Sequence, residues 1–136
     1  MVPASAFIPT DDGTGYHHYG NYVAIKGASG SFVTPLSFPV PVVNIRRITL
    51  YAYDNSSGGY ANLSWCRSYP PDGTAICSGY IATVGASPDT QAVTTADLDA
   101  RRVNTAHHGA YLWVYIEDPT IKVYGVRVTY TYETGV

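Results

Sequence analysis

Two segments near the C-terminal end of the chain alternate with period two. Ala110, Leu112, Val114 and Ile116 interleave with Tyr111, Trp113, Tyr115 and Glu117. Further on, Tyr124, Val126, Val128, Tyr130 and Tyr132 interleave with Gly125, Arg127, Thr129 and Thr131. Successive side chains of a β-strand point to opposite faces, so the pattern predicts strands over 110–117 and 121–133. The first of these is hydrophobic on both faces, one aliphatic and one aromatic. A two-layer sandwich has one core and needs only one such face. The aromatic face is therefore the strongest functional clue in the sequence.

The rest of the chain reads the same way. A short strand around 4–8 ends at Pro9-Thr10-Asp11-Asp12-Gly13, and a Tyr/His-rich segment follows over 16–26. Residues 31–38 form a strand that Pro35 demotes to an edge or broken one. The strongest central strand is 45–53, with Ile48, Leu50 and Ala52 opposite Thr49, Tyr51 and Tyr53. Segments 60–67 and 75–84 flank a Pro70-Pro71-Asp72-Gly73 turn. Residues 95–104 hold the only candidate helical turn, with Asp97 and Arg101 at i,i+4 spacing. About eight strands separated by Gly, Pro and Asn turns predict an all-β fold: an antiparallel β-sandwich, jelly-roll-like, as a single domain over 1–136. Its expected core is Ile48, Leu50, Leu63, Trp65, Leu112, Val114, Ile116, Val126 and Val128.

Cys66 and Cys77 are the only cysteines, and they stand symmetrically about the Pro-Pro-Asp-Gly turn. On the two arms of one hairpin they face each other at disulfide distance, which predicts a bridge and an oxidising compartment. Charged residues make up only 13% and the net charge is −2, which leaves no overall basic field for nucleic acid or anionic lipid. No apolar run reaches membrane-spanning length. The start, Met1-Val2-Pro3-Ala4, lacks the charged and apolar regions of a signal peptide, so secretion implies that Met1 was added to a mature sequence or that export is non-classical; a phage or virus structural protein would also show no signal. Thirteen tyrosines with many Thr and Ser give a polar surface that carries little charge.

Candidate reactive groups are few. His17-His18 and His107-His108 are adjacent pairs whose members point to opposite faces of a strand. They form a weak metal candidate that requires the two segments to meet. Asp11-Asp12, Asp54, Asp97 with Asp99, and Glu117-Asp118 stand mostly at turns, where carboxylates usually bond their own backbone. None matches a calcium-loop pattern, which leaves calcium as a minor possibility and no cofactor as the expectation. No nucleophile elbow, phosphate loop or dinucleotide fingerprint is present, which points to a non-catalytic protein.

The pieces Ile48-Thr-Leu-Tyr-Ala-Tyr-Asp-Asn-Ser-Ser, Ala110-Tyr-Leu-Trp-Val-Tyr-Ile and Val123-Tyr-Gly-Val-Arg-Val-Thr-Tyr-Thr-Tyr resemble a group of uncharacterised secreted bacterial β-proteins. The resemblance runs from Ile8 onward. It implies a secreted sandwich and carries no known active site.

Together these readings predict a secreted or cell-surface interaction protein. It self-associates into a homo-oligomer or fibre through Tyr-rich faces, with Tyr51, Tyr53, Tyr111, Trp113 and Tyr115 as the interface. The alternative is a carbohydrate-binding module using the same five rings as a platform. If the strands 45–53 and 110–117 share a sheet, all five lie on one outer surface. If instead the rings face the core, neither use holds.

Overall fold

The computed structural model describes residues 1–11, 13–96, 98 and 101–133. Strand follows strand in this order: β1 (Val2–Pro3), β2 (Ile8–Pro9), β3 (Tyr16–His18), β4 (Val23–Ile25), β5 (Gly30–Pro35), β6 (Val42–Tyr53), β7 (Ala61–Tyr69), β8 (Thr74–Ala82), β9 (Thr90–Thr94), β10 (Arg101–Asn104), β11 (Gly109–Ile116) and β12 (Lys122–Tyr132). One 3₁₀ turn, Ala4–Ala6, joins β1 to β2.

All strand pairs are antiparallel, and they form two sheets. The first runs β10-β6-β12-β4-β3, with β9 pairing the second half of β6 and β1 pairing β12. The second runs β2-β5-β11-β7-β8. The two aliphatic stripes read from the sequence meet between the sheets. Ile48, Leu50 and Ala52 come from β6, and Leu112, Val114 and Ile116 from β11. Leu63 and Trp65 of β7 and Val126 of β12 complete the predicted core, all fully buried. Val128 is only partly buried against it. The fold is an antiparallel β-sandwich.

Several local expectations change. The strand expected around 4–8 is divided between β1 and β2 by the 3₁₀ turn. Residues 31–38 are broken at Pro35, where β5 ends, as the sequence allowed, but β5 is not an edge, because it lies between β2 and β11. Pro35 is tolerated since it ends β5, beyond Val33 and Phe32, the residues that β2 pairs. The helical turn expected in 95–104 does not form at its described residues. The amides of Thr95 and Leu98 donate instead to the Ile48 and Arg46 carbonyls, at 3.1 and 2.7 Å. Residues 101–104 then pair with β6 as β10. Asp97, with which Arg101 was expected to pair, lies outside the described residues.

Cys66 and Cys77 stand directly opposite each other on β7 and β8, with their Cα atoms 4.0 Å apart, and are joined by a disulfide.

Candidate functional site

The five predicted aromatics all point away from the core, but they do not share a surface. Tyr51 and Tyr53 belong to the first sheet; Tyr111, Trp113 and Tyr115 belong to the second. The condition for one continuous platform is therefore not met. The sandwich carries an aromatic row on each outer face. Sequence periodicity reports which residues share a strand face, and it is silent about which strands share a sheet.

On the second sheet the row is ordered by register. Tyr111, Trp113 and Tyr115 alternate with fully buried Leu112 and Val114, so the packing of the aliphatics fixes the rings outward. Their span from Tyr111 to Tyr115 is about 13 Å along the strand. Trp113 remains 40% exposed, although indole is the largest side chain available to bury. On one side, β5 places Pro35 and Val33 opposite Tyr111 and Trp113, and these four residues line an open groove of about 410 Å³. On the other side, β7 places Ser64 and Asn62 opposite Trp113 and Tyr115, supplying a hydroxyl and an amide.

Three further residues extend the row, and the sequence reading did not single them out as a site. The Tyr60 ring lies 6.0 Å from the Tyr115 ring. Its hydroxyl lies beside the Glu117 carboxylate, whose negative charge, followed by burial, raises the Tyr60 pKa. Tyr80 is 62% exposed and stands near enough to Tyr60 to reinforce that shift. Tyr60 precedes β7 and Glu117 follows β11, two neighbouring strands whose pairing brings the loops together. Only that pairing could have revealed the cluster.

On the first sheet, cations lie over the rings. The Lys122 ammonium sits 5.0 Å from the centre of Tyr22 and 5.8 Å from that of Tyr53, and the Arg127 guanidinium 5.7 Å from that of Tyr51. Tyr51, Thr90, Tyr124 and Arg127 line an open groove of about 400 Å³. A bulge between Val123 and Gly125 shifts the strand phase, so Tyr124 lines this outer groove instead of sharing a face with Val126.

The histidine pairs do not meet. His17 and His18 lie on β3, and His107 and His108 follow β10, the opposite edge of the first sheet. Four strand spacings, roughly 19 Å, separate those edges. The His17 Nδ1 is paired with the Tyr19 hydroxyl, and the His18 Nε2 with the Ala4 carbonyl. His108 Nδ1 accepts from the Asn104 amide at 3.1 Å. Desolvation, then the charges of Arg67, His107 and Arg102, hold the His108 pKa below its ordinary value.

The described turn carboxylates bond largely to their own loops. Asp11 accepts from the Gly13 amide, Asp54 from the Ser56 amide and Thr83 hydroxyl, and Asp118 from Thr120 and Ser56. The Thr120 hydroxyl and amide, together with Ser56, hold the Asp118 pKa below the usual carboxylate value. Among the described residues, no three His, Cys, Asp or Glu side chains gather as a cation site. Asp12, Asp97 and Asp99 lie outside those residues.

No protein-family model matches the chain, and no curated protein matches it. Solved structures share its fold, and two of them are the following. One is the CBM22-1–GH10 module pair of an endo-1,4-β-D-xylanase from Clostridium thermocellum, complexed with xylohexaose. It has a TM-score of 0.58 and 13% identity over 99% of this chain. The other is a GH26–CBM35 β-(1,4)-mannanase from Podospora anserina, with a TM-score of 0.52 and 14% identity over 96% of this chain. The chain spans 27% of the length of each. At such identities the likeness is one of fold. The secreted-protein resemblance of the sequence is supported at that level, as a β-sandwich.

Proposed function

We propose that this chain is a non-catalytic, extracellular glycan-binding domain that holds a neutral polysaccharide against the outer face of the second sheet. The observation that carries the reading is the row Tyr111, Trp113 and Tyr115, fixed outward by the core and bordered by an open groove. Aromatic faces suit the C–H faces of sugar rings, while Ser64, Asn62 and the Tyr60–Glu117 pair offer partners for sugar hydroxyls. The strands of this sheet contain a single charged residue, Arg67, whose guanidinium donates to the Arg102 carbonyl. A face so poor in cations favours uncharged sugars. Both fold neighbours are chains that combine a carbohydrate-binding module with a glycoside hydrolase module, which supports this reading over self-association. The disulfide supports an oxidising, extracellular setting.

The test is a glycan array probed with wild type beside Trp113→Ala. Wild type should bind uncharged polysaccharides, and the variant should lose at least about tenfold in affinity, as expected for removal of an aromatic anchor. Equal binding by the two proteins would sink the proposal.

Self-association is the second reading, and a different element favours it. β8 is the edge of the second sheet and carries no charged residue over its length, and Ile76 on it is 47% exposed. Uncharged edges are templates for pairing with another copy.

A further inference from the structure

Charge is divided between the two sheets in a way that the net value conceals. The strands of the first sheet carry Arg46, Arg47, Arg101, Arg102, Lys122 and Arg127, six of the eight basic residues of the chain. They carry none of its ten acidic residues. The sheet is therefore a basic layer within a protein of net charge −2.

Two of these cations are held at the aromatic surface. Lys122 lies over Tyr22 and Tyr53, and Arg127 over Tyr51. In register, Lys122 pairs with Tyr53 and Arg127 with Thr49. That sets their backbone positions about 13 Å apart along β6, on either side of Tyr51. Neither is ion-paired with a described carboxylate; the Glu133 carboxylate is engaged by Arg102 at 3.0 Å. The Arg127 end of this row opens on the groove of about 400 Å³ lined by Met1, Tyr51, Thr90, Tyr124, Gly125 and Arg127.

We infer that the outer face of the first sheet is a second binding site, for an anionic polysaccharide whose sugar rings carry carboxylate or sulfate groups. Ring contacts orient both cations, so less freedom is lost when they meet an anion. Their separation suits two anionic groups on one extended chain, and charge-assisted bonds to each supply affinity. Tyr124 and Thr90 add hydroxyls for the intervening sugar. This inference is independent of the neutral-glycan reading, because the two faces share no residue.

Affinity gel electrophoresis tests it, with polygalacturonate, dextran sulfate, unsubstituted dextran or single-stranded oligothymidylate in the gel. Wild type should be retarded more strongly by polygalacturonate, dextran sulfate or both than by dextran, with the excess falling as salt is raised. Retardation by one anionic polymer alone identifies carboxylate or sulfate as the group read. Lys122→Gln with Arg127→Gln should weaken the interaction at least about tenfold. Each single variant should lose part of it. Arg67→Gln, which removes one positive charge from the other sheet, should leave it unchanged, and so should Trp113→Ala. Equal retardation of the double variant would overturn the inference. So would no retardation by either anionic glycan, or stronger retardation by oligothymidylate than by both.

Discussion

At the scale of single residues, the neighbourhood of His108 makes a pH-dependent claim. Its Nδ1 accepts from the Asn104 amide, which requires a lone pair there and favours the neutral ring. Desolvation and the Arg67, His107 and Arg102 charges act in the same direction and lower its pKa from the ordinary value of about 6.5. A depressed pKa means that the unfolded chain takes up the proton more readily than the folded one. Stability from this group is thus present above about pH 6.5 and lost as pH falls through the interval below it. Denaturant unfolding between about pH 7 and 5 should show stability falling with pH in wild type, and falling less steeply in His108→Gln. Carboxylates titrate mainly below this window, so they confuse the comparison little. Coincident slopes for the two proteins would remove His108 from the account.

At the scale of elements, the β7–β8 hairpin gives the second claim. Cys66 is fully buried and Cys77 exposed, yet register sets them opposite each other across the pair. Their bridge closes a short loop and should contribute roughly 3 kcal/mol by restricting the unfolded chain. Intact mass under non-reducing conditions should show no alkylatable thiol, and Cys66→Ser with Cys77→Ser should lower the unfolding free energy by about that amount. This hairpin was legible because a turn signal and two cysteines fix its register locally. The aliphatic stripes of β6 and β11 were legible for a similar reason, since period two survives over a whole strand. What stayed hidden is non-local. Nothing in residues 45–53 and 110–117 says that they lie in opposite sheets, so the single platform became two. Tyr124 was misplaced because the bulge beside it leaves the sequence alternation intact while shifting the phase of the strand. At the described residues of 95–104 the helical spacing lost to backbone pairing, because Thr95 and Leu98 donate to β6 and Arg101–Asn104 pair with it as β10.

At the scale of the molecule, the sandwich presents two unlike faces and a nine-residue uncharged edge, β8, and this edge decides how copies meet. Gly79 has φ +73° and lies where the register of β7 and β8 slips between Leu63 and Trp65. A bulge twists an edge and interrupts its hydrogen-bonding template, which is a known way to discourage pairing. The regular part of the β8 edge is thereby shortened to residues 74–78, with Ile76 at its centre. Five residues support only a weak antiparallel contact, but the low net charge of −2 offers little repulsion against it. Sedimentation equilibrium should therefore show a monomer at low concentration whose average mass rises reversibly as concentration increases. A lysine at the centre of the edge would place like charges together in any two-fold pairing, so Ile76→Lys should abolish the rise. Trp113→Ala should leave it intact if the edge, and not the aromatic face, joins the copies. Loss of association in Trp113→Ala but not in Ile76→Lys would move the contact to the aromatic row, in direct competition with glycan. A mass that stays monomeric at the highest concentration would eliminate self-association and leave both sheet faces free for ligand.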